Sequence, residues 1–182
     1  DLHSFPTRRS SDLHGYGISV TALQRAQAYA TIGAFGVRLP VSMLRVDTPP
    51  VGERILPATL CRQLVQLLEA VTIQEGATGV RARIPGYRVA GKTGTAQRLV
   101  NGSYSTLQHT SIFAGLAPAS APRLATVVVI DDPSAGQYFG GDVAGPVFSA
   151  VVGGALRLLG VPPDDLSVPS DPMFRGQRVA QR

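Results

Sequence analysis

A chain of 182 residues, 44% hydrophobic and 16% charged, carries enough apolar material for a core and is not a disordered sequence. One cysteine, Cys61, excludes an internal disulfide and a multi-cysteine metal site, and the scattered His3, His14 and His109 offer no zinc pattern, so no metal or cofactor is expected. The formal charge of +5 comes from sixteen arginines and a single lysine, Lys92, spread singly and without a nucleic-acid-binding motif, which argues against nucleic acid as a partner.

Residues 1–13 (DLHSFPTRRSSDL) have no hydrophobic period and read as a disordered or foreign leader outside the fold. His14 to Gly17 form a turn. Thr21 is expected to cap a helix along Leu23, Ala26, Ala30 and Phe35, ended by Gly33 and Gly36. Residues 37–46 read as extended, interrupted by Pro40, and Pro49-Pro50 with Gly52 as a loop. A second helix is predicted from Pro57 to Glu75, with Leu60, Leu64, Leu67, Leu68 and Val71 as its apolar stripe. Cys61 beside that stripe reads as a packed side chain rather than a reactive thiol.

The second half changes character. Tyr87 to Ala90 and Lys92 to Gln97 predict a strand, and Asn101-Gly102 is a hairpin signal. Thr110 to Leu116 is the next strand, Pro118 to Pro122 a turn, and Leu124 to Ile130 a fully buried strand. Gly140 and Gly141 read as a positive-φ turn. Asp142 is expected to cap a final helix, with Pro146 in its first turn, running to Leu159 and Gly160. The apolar stretch 143–161 contains Pro146 and Arg157, so it reads as a buried helix and not as a membrane span. Residues 164–182 read as a flexible tail. Tight turns between the strands imply antiparallel pairing, hence an α+β fold.

Two motifs compete for Lys92. Gly86 to Thr93 fits the P-loop pattern G-x4-G-K-[ST], and Val127 to Asp131 resembles a Walker B strand, the alternative being a nucleotide hydrolase. Its context is poor. Residues 80–85 (VRARIP) do not form a buried strand, Tyr87, Arg88 and Val89 favour a strand over a phosphate loop, and Gly94 stands where a helix should follow. The other reading takes Lys92-Thr93-Gly94-Thr95 as the K-T-G triad of serine transpeptidases and β-lactamases, borne on an edge strand. An ammonium and hydroxyl donors suit a peptide carboxylate. Gly94 lets a substrate backbone approach the strand. The Thr95 amide can face a tetrahedral oxyanion.

Around this triad, the stretches GYGISVTALQRAQAYATI (15–32), PGYRVAGKTGTAQ (85–97), IFAGLAPAS (112–120), VVVIDDP (127–133), YFGGDVAGPVFSAVV (138–152) and ALRLLGVPPD (155–164) resemble class B penicillin-binding proteins. The resemblance covers 14–163 and is closest to division-type septal peptidoglycan D,D-transpeptidases, in the C-terminal part of their transpeptidase domain. It implies a serine β-lactamase/transpeptidase-like fold, an antiparallel sheet flanked by helices, present as a partial domain. It implies a site in which Lys92, Thr93, Gly94 and Thr95 serve catalysis, Tyr138 and Phe139 lie beside the ligand, and Tyr104 at the hairpin tip is a weaker candidate for the same wall. Gln97 and Arg98 flank the triad and read as surface, His109 as a strand-edge residue, and Asp131 and Asp132 as turn residues. The implied ligands are the peptidoglycan stem peptide and β-lactams. The implied setting is the periplasmic face of a bacterial inner membrane among division-complex membrane proteins, although no membrane segment is read in this chain. The family's S-x-x-K and S-x-N motifs are missing: Lys92 is preceded at three residues by Val89, and Asn101, the only asparagine, at two residues by Leu99.

Overall fold

A computed structural model describes residues 20–48, 50–100 and 103–165. Its elements, in chain order, are α1 (Ala22–Gly33), β1 (Val37–Arg38), β2 (Glu53–Arg54), α2 (Ala58–Ile73), a 3-10 turn (Val80–Ala82), β3 (Ala90–Val100), β4 (Ser103–Ala117), β5 (Leu124–Asp131) and α3 (Gly140–Leu158). The leader 1–13, the turn at 14–17, Asn101-Gly102 and 166–182 lie outside the described residues.

The sheet is antiparallel, in the order β3-β4-β5. Val100 pairs with Ser103, as a two-residue hairpin requires. Alternation along the strands sends successive side chains to opposite faces. On one face, Phe113, Ala117, Leu124, Val128 and Ile130 pack with Ala144, Phe148, Val152 and Leu156 of α3. On the other, Ala90, Leu116 and Ala125 pack with Tyr29 and Ile32 of α1 and Val65 and Leu68 of α2. The Phe113 ring lies against Gly91 and Gly115, where added Cβ atoms would stand 2.6 and 3.0 Å from it, and tilts at 58° to Phe148 with centroids 4.8 Å apart. This is the α+β architecture expected.

Several local expectations need correction. Thr21 caps α1 through a capping box with Gln24, but Leu23 on the anticipated inner stripe is exposed. Of the extended segment 37–46, only Val37 and Arg38 form a strand, because only they find partners, in Arg54 and Glu53. The inner face of α2 is Cys61, Val65, Glu69 and Thr72, and Leu60 and Leu67 of the predicted stripe face outward. Polar partners set this rotation: Thr72 donates to the Val89 carbonyl at 2.7 Å and Glu69 pairs with Arg88. β5 has no fully buried residue; it is an edge of the sheet among the described residues. Asp142 does not cap α3. Phe139 holds the cap position, Asp142 lies in the first turn and Pro146 lies inside the helix.

The expected tail does not begin at 164. The Asp164 carboxylate accepts from the amides of Arg88 (2.8 Å) and Ser120 (3.1 Å), and the Asp165 amide donates to the Gly86 carbonyl. Just before them, Tyr87 Oη donates to the Val161 carbonyl at 2.6 Å. These bonds fold the segment after α3 back onto the approach to β3.

Candidate active site

Lys92, Thr93, Gly94 and Thr95 occupy the first half of β3, opposite Ala114, Phe113, Ile112 and Ser111. Ala90 faces α1 and α2, so Thr93 and Thr95 project toward α3, while Lys92 starts on the other face. Because β3 is an edge strand among the described residues, the flexible lysine reaches around it: Nζ donates to the Thr93 carbonyl (3.1 Å) and to Thr93 Oγ1 (3.3 Å). Ammonium and hydroxyls thus gather on one side of the strand.

Beside them lies a cleft of about 410 Å³, lined by Thr93 and Thr95, by Ala77, Thr78, Val80 and Arg81 from the loop and 3-10 turn after α2, and by Phe139, Gly140, Gly141 and Asp142 at the start of α3. Three links close its rim. Thr78 Oγ1 and Thr93 Oγ1 share a hydrogen bond of 2.9 Å. The Gly140 amide donates to Thr95 Oγ1 at 3.0 Å. Arg81 Nη1 stands 3.4 Å from both the carbonyl and Oδ1 of Asp142.

The two glycines explain how the helix comes so close. A Cβ at Gly140 would lie 2.3 Å from the carbonyl oxygens of Gly94 and Ile112, and one at Gly141 would lie 1.9 Å from the Thr78 carbonyl. Neither has a positive φ, so the predicted turn is replaced by a close approach of backbones. Pro146 supports the same rim. It lacks the amide proton that would bond the Asp142 carbonyl within the helix, and Arg81 reaches that oxygen from outside.

Tyr138 and Phe139 form one aromatic stack with a third ring. Phe139 lines the cleft, and Tyr138 packs against it with centroids 4.6 Å apart. His109 in mid-β4 lies flat on Tyr138, at 4.1 Å and 14°, and Ser111 Oγ donates to the Tyr138 carbonyl. His109 is therefore part of the aromatic wall and not at a strand edge. Tyr104 stands opposite Leu99, beyond the bulge at Arg98, and does not line the cleft. Arg98 turns away from the site to Asp131 (3.3 Å) and Asp132 (3.7 Å), whose carboxylates also accept from Thr110 and Gln108.

Thr78 and Arg81 belong to no motif in the sequence, and Asp142 enters there only as a helix cap and within the stretch 138–152. The only local signal was the loop Gly76-Ala77-Thr78-Gly79, which marks a turn without announcing its contact with β3. The P-loop alternative fails on geometry: Lys92 and Thr93 are inside a strand, no helix follows them, and Val127 to Asp131 run in β5, separated from β3 by β4. Among the described residues, no group of three or more His, Cys, Asp or Glu side chains is placed to hold a metal, and no helix is long and apolar enough to cross a membrane.

The cleft is thus bounded by an edge strand bearing a lysine and two threonines and by a helix that starts on two glycines. Residues 4–153 match the penicillin binding protein transpeptidase domain, and the chain belongs to that family. It is 46% identical over 159 residues to peptidoglycan D,D-transpeptidase FtsI of Escherichia coli (strain K12), covering 87% of this chain and 27% of that protein. It is 43% identical over 149 residues to the probable peptidoglycan D,D-transpeptidase PenA of Neisseria flavescens, covering 82% of this chain and 37% of that protein. The apo transpeptidase domain of Burkholderia pseudomallei penicillin-binding protein 3 superposes with a TM-score of 0.76 at 41% identity, over 82% of this chain and 46% of that one. The chain thus spans about a quarter to a third of these curated relatives.

Proposed function

We propose that this chain is the carboxylate-binding side of a peptidoglycan D,D-transpeptidase of the division type, a site also open to β-lactams. The observation that carries the reading is the convergence of Lys92 Nζ, Thr93 Oγ1 and Thr95 Oγ1 at the edge of β3 beside the cleft. The ammonium and the hydroxyls bind the terminal carboxylate of a D-Ala-D-Ala peptide. Gly94 leaves the strand edge open to the peptide backbone, and the Thr95 amide donates to the oxyanion as the scissile carbonyl becomes tetrahedral. Phe139 and Tyr138 wall the peptide side, with His109 behind them.

In this mechanism a serine attacks the penultimate D-Ala carbonyl and the terminal D-Ala leaves. The amine of a second stem peptide then displaces the serine, forming the cross-link. That serine is not one of this chain's residues, because its S-x-x-K partner lysine is absent. The chain works within a protein held at the periplasmic face of the inner membrane, beside other division proteins. The test is an amide chemical-shift titration of the chain with N-acetyl-D-Ala-D-Ala. Saturable shifts at Thr93, Gly94 and Thr95, lost on amidation of the peptide carboxylate, are expected. Shifts confined to other surfaces would reject the reading.

A further inference from the structure

A second cation faces the cleft, besides the motif lysine at the strand edge. Among the described residues lining the cleft, Arg81 is the only cation and Asp142 the only anion. Their contact is loose. Arg81 Nη1 is 3.4 Å from Asp142 Oδ1, against roughly 2.7–2.9 Å for a good charge-assisted bond, and the side chains are 55% and 40% exposed.

The other arginines of this stretch are committed. Arg83 donates to the Thr72 and Ile73 carbonyls at the end of α2, and Arg88 holds Glu69 through two bonds. Arg81 differs, because its Nε and Nη2 make no hydrogen bond to a described residue. Its Nη1 also has the Asp142 carbonyl, which Pro146 leaves without a helical donor. The guanidinium therefore keeps an anchor if the carboxylate lets go. Asp142 in turn keeps a favourable place in the first turn of α3, where the helix dipole stabilises its charge. Exchanging one carboxylate for another at Arg81 thus strands neither group.

We propose that Arg81 is a specificity-determining residue of this cleft: it receives a second carboxylate of the bound peptide, separate from the terminal one held at Thr93 and Thr95, and releases Asp142 to do so. The proposal rests on the transpeptidase reading of the cleft and adds a substrate class to it, peptides carrying an acidic residue upstream of D-Ala-D-Ala. The edge of the planar guanidinium that carries the unused Nε and Nη2 fits a carboxylate in a bidentate manner, and a neutral amide cannot match that charge.

Two tripeptides test it, N-acetyl-Glu-D-Ala-D-Ala and N-acetyl-Gln-D-Ala-D-Ala, titrated by amide shifts into the 182-residue chain and into two variants. With the parent chain the Glu peptide should bind about two- to fivefold more tightly, the range of an exposed charged pair. In Arg81→Gln the ratio should fall to about one, with the Gln peptide little changed. In Asp142→Asn it should rise above the parent value, because the competing carboxylate is gone. Added salt should compress the ratio in every form that retains Arg81. A purely structural Arg81–Asp142 pair predicts the reverse pattern: both variants weaken both peptides alike and the ratio stays put, which overturns the proposal. Equal binding of the two peptides by the parent chain also overturns it while leaving the terminal-carboxylate site standing. If neither peptide shifts Thr93 to Thr95, the transpeptidase reading falls, and the proposal with it.

Discussion

The amide of Gly140 donates to the hydroxyl of Thr95 at 3.0 Å, so the first residue of α3 is bonded to the last residue of the K-T-G-T edge. Thr95 Oγ1 spends a lone pair on that bond and keeps its proton for a ligand. No side chain fits between the two elements, because a Cβ at 140 would fall 2.3 Å from two carbonyl oxygens of β3 and β4.

Gly140→Ala is therefore expected to push the helix start off the strand. Backbone oxygens cannot rotate away as a side-chain tip does, so the cost should be at the upper end of overpacking, about 3 kcal/mol. Thermal melts should show the loss of stability, and amide-shift titration with N-acetyl-D-Ala-D-Ala should show weakened binding at Thr95. A variant with parent stability and parent affinity would contradict the close-approach argument.

Arg88 and Glu69 form a bidentate pair at 2.6 and 2.7 Å in which only one partner is buried: the Glu69 side chain is 8% exposed and that of Arg88 44%. The hydrogen bonds that Arg88 donates to Glu69, more than any other influence, raise the Arg88 pKa above its ordinary value. The two deletions should be unequal. Arg88→Met strands a buried carboxylate and should cost about 3 kcal/mol. Glu69→Gln leaves a guanidinium that water can reach, and should cost about 1 kcal/mol. Urea titration of both variants measures the difference, and equal losses would count against this account.

Tyr29 of α1 gives an alkaline signature. Burial raises its pKa, and the nearby Arg25 offsets this only in part. A phenol whose pKa is higher when folded contributes stability that is fully present below the unfolded value of about 10 and is lost as pH rises through the folded pKa. Urea midpoints should therefore fall above pH 10, and Tyr29→Phe should remove part of that slope. An unchanged slope in the variant would refute the assignment.

The chain should not be labelled covalently by a fluorescent penicillin. Acylation requires a serine beside its lysine in S-x-x-K, and the only lysine, Lys92, is preceded at three residues by Val89. A label on the purified chain that survives denaturing electrophoresis would contradict this.

The parts of the site that were legible in the sequence are those whose chemistry is packed into consecutive residues. Lys92 to Thr95 spell out donor, donor, gap and donor on a strand, and the pattern needs no tertiary context. Tyr138-Phe139 were placed through family resemblance. Thr78 and Arg81 were not legible, because their value comes from a tertiary contact between β3 and the segment after α2. The same distinction runs through the fold. The helical period of α2 was evident, but its five aliphatic positions do not choose a side. Thr72 and Glu69, which do, satisfy partners seventeen and nineteen residues away. Gly140 and Gly141 were visible as glycines, yet a sequence does not distinguish a backbone bend from a backbone contact.

The bonds made by Asp164 and Asp165 have a consequence for shortened versions of this protein. Arg88 and Ser120 flank the sheet at opposite ends of the sequence that builds β3 and β4, and one carboxylate staples their amides together. A chain cut after Leu159 would keep every helix and strand but lose this staple, together with the Val161 acceptor of Tyr87. Its failure would begin not at the cut but at residues 86–88, the entrance to the motif strand, so expression boundaries belong beyond Asp165.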